Sequence, residues 1–483
     1  MKTRWWMRVG ALFLAGACLG QVGIPGFSNR SREETVESAP AVGMETAQNP
    51  FTGSVPRGTA SGEELALPLA EAIERGLKAN LGLVLTDQGA AAARGARRVS
   101  LSRLLPAVSV QGSETSEQLN LAAFGLKPAP GMPAVVGPFG VFDFRGVVSQ
   151  TILNLRNMEN ARAGTESVKA AEFQVKDARD AVTLVVAALY LQAQAGASRI
   201  EAVKAQVAGS QALYEQAVDF KKAGTVPAID VLRARVELQT QQQRLIAARN
   251  AYAKQKLQLG RAIGLPDGQA IRLTDAMPDT PAQAMEFEEA LRLAYAERMD
   301  YQSQAAKVRA AERSLKAASA GRYPTVDFNG DYGVMGSSVV SSHGVYTASV
   351  GVKIPVFQGR RVQGEVEQAA AALEREKAQL ADLRGRIAYE IRAAMLDVKA
   401  AADQVEVSRS SVDLARQQET QARDRFAAGV TNNLEVVQAQ EALAGANENY
   451  ISSLLGYNIA KASLARAMGG VETKIRALLL GSK

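Results

Sequence analysis

The residues best placed to do chemistry are two acids, Asp230 and Glu435, each just inside the start of a predicted helix. They are 205 positions apart and hold the same place in two copies of one pattern. Residues 220–238 read FKKAGTVPAIDVLRARVEL and residues 425–443 read RFAAGVTNNLEVVQAQEAL. A carboxylate at a helix start stabilises the helix dipole by roughly 0.3–1 kcal/mol. Gathered around an opening, such acids would also concentrate cations and disfavour anions. Covalent chemistry has little to draw on. The one histidine, His343, and the one cysteine, Cys18, lie in separate segments and cannot build a zinc site or a nucleophile–base pair. No glycine-rich stretch has the phosphate-cradling spacing of a nucleotide-binding loop. His343 sits in a Ser/Gly-rich tip between two predicted strands and reads as a solvated loop residue, and Glu33-Glu34 and Glu63-Glu64 read as solvated linker. The expectation is a protein with no enzymatic activity, no cofactor and no metal.

The element that positions the acids is a helical hairpin, present twice. The displacement carries Gly224 onto Gly429, Ala234 onto Ala439 and Leu238 onto Leu443. Each glycine stops one helix, and Pro227 or the Asn432-Asn433 pair starts the next. From about residue 157 to residue 222 nothing interrupts the first helix, which predicts a rod of ~100 Å at 1.5 Å per residue. Val168, Val175, Val182 and Leu189 recur every seven residues, as do Leu373, Leu380, Ile387 and Ala394 in the second copy. The return helices repeat the stride at Val231, Leu238, Leu245, Tyr252 and Leu259, and at Val436, Leu443, Tyr450, Tyr457 and Leu464. A seven-residue stride keeps one seam against a neighbour when helices supercoil. Small residues beside the seam, such as Ala247, Ala248, Ala251 and Ala253, allow contact on two sides, as in a hollow ring of helices. An antiparallel bundle or coiled-coil spacer explains the stride equally well.

Strands precede each hairpin. A first helix is predicted over about residues 68–105, with a break at Asn80-Leu81-Gly82 and a stop at Pro106. Alternation begins at Val108 and, after a Pro/Gly/Ala-rich loop over residues 121–140, returns with Phe142, Phe144, Val148 and Ile152 opposite Asp143, Arg145, Ser149 and Thr151. After Tyr323-Pro324 the second copy sets Val326, Phe328, Tyr332 and Val334 against Thr325, Asp327, Asn329 and Asp331. Next come Tyr346, Ala348, Val350, Val352 and Ile354 against Thr347, Ser349 and Lys353. One apolar and one polar face suit a transmembrane barrel with a wet interior, or a half-buried sheet of a soluble domain. Four strands cannot close a barrel, and an open edge cannot sit in lipid, so strands in a membrane must be pooled from several copies.

The remaining features bound the setting. Of the 483 residues, 47% are hydrophobic but only 5% aromatic, which fits long packed helices better than a thick core. The net charge of +7 comes without basic runs interleaved with aromatics, so nucleic acid is not an expected partner. Residues 1–20 have the layout of a signal peptide: Lys2, Arg4 and Arg8, an apolar run, then Ala15-Gly16-Ala17 before Cys18. Ordinary cleavage and lipidation of Cys18 both fit that layout, and either exports the chain. No other stretch has the ~18 consecutive apolar residues of a membrane-spanning helix. The expected division is a flexible arm over 21–64, repeat 1 over 65–270, a linker over 271–286, repeat 2 over 287–470 and a tail over 471–483.

Taken together, the hairpin repeat, strand pairs and leader make the chain resemble the TolC-type outer-membrane efflux and secretion channels over about residues 68–469. The two hairpin turns carry the resemblance, with Ile354-Pro355-Val356-Phe357-Gln358-Gly359-Arg360-Arg361 where strand gives way to helix; the first-copy counterpart from Ile152 to Asn157 is degenerate. The resemblance implies a mainly α fold with a transmembrane β portion. It implies a homotrimer whose duplicated hairpins form an α-barrel through the periplasm and whose four strands per chain form a twelve-stranded barrel in outer-membrane lipid. It also implies partners: a periplasmic adaptor docking on the tips Gly224, Thr225, Val226 and Gly429, Val430, Thr431, and an inner-membrane transporter. Two carboxylates narrow the tip in better-known members, and here those positions fall on Glu435 and Gln438. An Arg–Asp tie closes the tip in those members; its Asp falls on Asp230 and its Arg on Thr431, so the charged lock is expected to be missing. The rival is a periplasmic coiled-coil scaffold without a pore.

Overall fold

The computed structural model describes residues 49–56, 58–125, 133–281, 285–472 and 474–475. The leader, Cys18 and most of the arm lie outside them. The element order is β1 (Leu65–Leu67), α1 (Leu69–Ala79), α2 (Leu81–Ser102), β2 (Ala107–Asn120), β3 (Val135–Leu153), α3 (Leu155–Lys222), α4 (Ala228–Ile263) and β4 (Ile271–Leu273) in the first half. The second half follows with α5 (Phe287–Glu297), α6 (Met299–Ser319), β5 (Thr325–Gly336), β6 (His343–Lys353), α7 (Arg361–Ala427) and α8 (Asn433–Met468). The duplication is visible in the boundaries. Helices α4 and α8 each have 36 residues and start 205 positions apart, at Ala228 and Asn433. Helices α1 and α5 start 218 apart, at Leu69 and Phe287, so the first strand hairpin and its loop account for the difference.

The long helices are continuous, as the unbroken seven-residue stride requires: α3 has 68 residues and α7 has 67. Along them the seam is spent on packing, with Val182, Leu259, Ile387 and Val436 fully buried. On the side of the strands, α2 and α6 flank α3, and α6 also meets α7. On the side of the hairpin turns, α8 packs between α7 and α3, and α4 packs on the opposite side of α3. Apolar residues remain exposed on the outermost helices, at Leu232, Val236, Ile246 and Leu257 of α4 and at Tyr389, Leu396, Val407 and Leu414 of α7. One stretch of α3 is apolar enough to cross a membrane by length and composition alone, but most of it is buried inside the protein. Tyr190 and Leu191 of α3 lie in the main core with Ile263.

The four long strands form one antiparallel sheet in the order β2-β3-β5-β6, leaving β2 and β6 as free edges. Register keeps the alternation in phase across all four strands: Val110 faces Gly146, Gly146 faces Tyr332 and Tyr332 faces Tyr346. On the opposite face Gln111 meets Arg145, Ser149 meets Asn329 and Asp331 meets Thr347. Strand β3 starts at Val135, so part of the stretch expected as loop is strand, and His343 opens β6 rather than lying in the turn.

Other differences from expectation occur where periodicity is absent. Part of the arm is structured: Phe51 lies over Gly82, where a Cβ would strike its ring, and Val55 N–H donates to the Ala79 carbonyl at 2.9 Å. Asn80 breaks the first helix as expected, its side chain accepting from Gly82 N–H at 2.9 Å and donating to the Phe51 carbonyl at 2.6 Å. The tail begins inside the core, where Val471 and Ile475 are fully buried. The linker holds β4, parallel to β1, and then a strap laid across the helices. The strap's Asp275 carbonyl accepts from Gln194 of α3 at 2.8 Å, its Pro278 carbonyl from Asn458 of α8 at 2.8 Å, and its Thr280 carbonyl from Lys461 of α8 at 3.0 Å.

Lys461 is fully buried, and desolvation pushes its ammonium down to about 8, with Asp279 opposing. Relative to the unfolded chain, folding therefore favours the neutral amine. Between about pH 8 and the ordinary lysine value of 10.5 the unfolded chain holds the extra proton, so stability rises with pH across that window. The expected result is a Tm that increases from neutral pH towards pH 10 by circular dichroism. In Lys461→Met the increase is smaller than in the parent; an equal increase in both would remove this residue as its source.

Candidate functional site at the hairpin tips

The tips form because each helix is stopped by a residue that can leave the right-handed region. Gly224 and Gly429 have φ of 75° and 73°, conformations that side chains resist. Thr225 N–H then closes back on the Phe220 carbonyl at 2.9 Å and Val430 N–H on the Arg425 carbonyl at 3.0 Å. Helix α4 restarts behind Pro227, and α8 behind Asn432, whose side chain accepts from Leu434 N–H at 3.1 Å. Beneath the turns Phe220 and Phe426 meet with ring centroids 5.6 Å apart, in a cluster with Leu213, Val436 and Ala439. Val226 packs against this cluster, so its side chain is partly spent inside the tip. Val430 is 70% exposed, and Gly224, Thr225 and Gly429 are also exposed.

The two acids sit in different surroundings. Asp230 is buried, and its carboxylate pairs with Arg233 of the same helix at 3.3 Å. Glu435 is half exposed; it accepts from the Thr431 hydroxyl and pairs with Arg425 at 3.0 Å. Thr431, at the place of the Arg of the charge tie, brings no charge to Asp230. A different pair lies within the second hairpin, where Arg425, in the last turn of α7, meets Glu435 across the turn. Gln438 is exposed on α8, one turn further on.

One residue read from the sequence only as part of a helix start also joins the two hairpins. Asn433, the first residue of α8, is fully buried and donates through Nδ2 to the Asp230 backbone carbonyl at 3.0 Å. Its Oδ1 is buried without a hydrogen-bond partner. The sequence signal was the doubled asparagine: Asn432 alone suffices as cap, which leaves Asn433 free for another partner. About two turns along, a second polar layer holds Gln241, which donates to Glu237 at 2.6 Å, and Ser210, which donates to Gln440 at 3.5 Å. No group of His, Cys, Asp and Glu suited to a metal occurs among the described residues.

At the other end of the molecule the polar sheet face carries its own ion cluster. Arg145 pairs with Asp331 at 3.0 Å and with Asp143, while the Thr151 hydroxyl donates to Asp327 at 2.9 Å. The apolar face is bare: Val108, Tyr332, Tyr346, Val350 and Val352 are all exposed.

Comparison with known proteins agrees with this architecture. The family profile described as outer membrane efflux protein matches residues 290–470. A probable efflux pump outer membrane protein, SepC, and a toluene efflux pump outer membrane protein, TtgF, both of Pseudomonas putida, are each 23% identical over 417 residues, covering 83% of either chain. Among solved structures, CusC superposes with a TM-score of 0.73 at 16% identity, covering 86% of this chain and 95% of that one. The outer membrane protein VceC of Vibrio cholerae gives 0.71 at 18%, covering 83% and 96%. Profile, relatives and fold thus meet on the same elements: residues 290–470 match the outer membrane efflux protein family, and the chain as a whole is similar in sequence to outer membrane proteins of efflux pumps and in fold to CusC and VceC.

Proposed function

We propose that this chain is the outer-membrane exit duct of a tripartite efflux or type I secretion system, a passive conduit whose energy comes from an inner-membrane pump. The observation that carries this reading is the four-stranded sheet with two free edges, an exposed apolar face and an ion-paired polar face. In water, Tyr332, Tyr346, Val350 and Val352 would form an exposed apolar patch on an unpaired sheet, which a soluble scaffold has no reason to keep. In lipid the same face is at home, provided other chains meet the edges.

Three copies would close a twelve-stranded barrel and would set the apolar stripe of α4 against that of α7 in the next copy. The helices would then continue the duct through the periplasm. Hairpin tips at the far end would dock on a periplasmic adaptor, with Val430 the apolar residue most available to it. Rings of Glu435 and Gln438 would narrow the opening, and Asn433 would hold the two hairpins of each chain together there. The residue assignments rest on the tip geometry and on the equivalent turns.

Recording from purified protein in planar bilayers tests the duct itself, since a scaffold passes no ions. Asn433→Ala removes a buried hydrogen bond between the hairpins, worth roughly 1 kcal/mol or more, and should shift the closed–open balance about 5- to 30-fold towards open. An unchanged open fraction would discard Asn433 as a tie. Glu435→Gln should lower cation preference, read as the zero-current potential in a KCl gradient, and Arg425→Gln should raise it; identical potentials in both variants would take this pair out of the conduction path. Val430→Asp should reduce adaptor recovery in a pull-down while chemical cross-linking still yields the wild-type oligomer. Full adaptor recovery would move the docking surface elsewhere.

A further inference from the structure

The four joints between helix and strand share a charge pattern that the duct reading does not use. Residues 97–107, 153–157, 316–325 and 353–362 contain nine bases and no acid: Arg97, Arg98, Arg103, Arg156, Lys316, Arg322, Lys353, Arg360 and Arg361. Register brings the joints side by side, because Ala107 pairs with Ser149, Leu153 with Val326, and Thr325 with Lys353. Side chains interlock there as well: Gln358 donates to the Gly321 carbonyl at 3.5 Å, and Arg156 and Arg361 share Glu365. Arg98, Arg103, Arg322 and Arg360 are left exposed around this ring.

Large apolar residues alternate with the bases. Val99, Leu105, Tyr323 and Ile354 are exposed, and Val356 and Phe357 are 93% and 86% exposed. Gly359 and Arg360 hold successive positive φ angles of 55° and 62°, so the chain between β6 and α7 turns sharply just beyond Phe357. The opposite end of the sheet is different. Among its described residues, 113–125, 133–141 and 336–342, the charges are Glu114 and Glu117, with no Lys or Arg. The charge is thus basic on the helix side of the apolar belt and acidic on the far side.

We infer that this collar is a binding surface for anionic phospholipid headgroups of the leaflet next to the helices, with Phe357 and Val356 seated among the acyl chains and Arg98, Arg103, Arg322 and Arg360 on the phosphates. Guanidinium groups pair well with phosphate oxygens, and each base near an anionic leaflet adds attraction that falls off within a Debye length. Aromatic side chains favour this same depth. The collar fixes how deep the sheet sits and which end faces the periplasm. This inference rests on the outer-membrane reading above.

The test places a fluorescent reporter at the collar. Phe357→Trp, in a chain whose Trp5 and Trp6 are changed to Phe, is reconstituted in phosphatidylcholine vesicles. Brominated phosphatidylglycerol or brominated phosphatidylcholine is added at equal mole fraction. The expected result is apparent binding of the anionic lipid at least about threefold tighter from the quenching curves, with the preference abolished when Arg98, Arg103, Arg322 and Arg360 are all changed to Gln. Equal quenching by both lipids overturns the inference, as does a preference that survives the fourfold change. A reporter quenched by neither lipid in protein that still conducts ions shows that a second copy covers Phe357, and also overturns it. Protein that neither inserts nor conducts defeats the outer-membrane reading instead.

Discussion

An unpaired sheet edge cannot lie in hydrocarbon, and much of the molecule follows from that constraint. Each exposed N–H and C=O on β2 and β6 would cost several kcal/mol in lipid, more than side-chain packing on a single strand returns. In lipid, a chain with four strands and an outward apolar face would need other chains at both edges. The helical part has the same incompleteness: α4 and α7 are the outer members of the layer near the tips, and both present exposed apolar stripes. Sheet and helices are both unfinished within one chain, so the proposed association would have to satisfy both.

How readable each part was from the sequence depended on whether its partner followed a period. The seven-residue stride of α3 and α7 and the two-residue alternation of β3 and β5 are both local signals, and both predicted the observed elements. The hairpin turns were legible because Gly224 and Gly429 supply a backbone conformation that few other residues tolerate. By contrast, the strap around Asp275, Pro278 and Thr280 has no period at all. Its partners Gln194, Asn458 and Lys461 lie some 80 or 180 positions away. Phe51, Val471 and Ile475 were missed for a related reason: single apolar residues in short segments give no pattern, although each fills a specific gap in the core.

At the tips the acids could be found by repeat alignment, but their environments could not. Asp230 and Glu435 are equivalent in the duplication, yet Glu435 has Arg425 opposite and the first copy has Phe220 at that place. One substitution therefore gives the second hairpin an exposed ion pair and the first an aromatic contact with Phe426. The bond from Asn433 to the other hairpin escaped notice because its partner is a backbone carbonyl, which no sequence pattern advertises. Duplication kept the backbone and let the two tips acquire separate chemistries.

Helices α3 and α7 run without a break from the ends of β3 and β6 to the hairpin turns, whereas α4 and α8 stop partway, at Gly264 and Gly469. The first pair are thus continuous shafts, and the second pair are struts rooted at one end: Leu259, Ile263 and Leu265 lie in the main core beside Gly264, and a Cβ on Gly469 would strike the Arg298 backbone. A push applied at the turns is therefore resisted where the struts end. Beyond that level only the shafts continue towards the strands, braced there by α2 and α6.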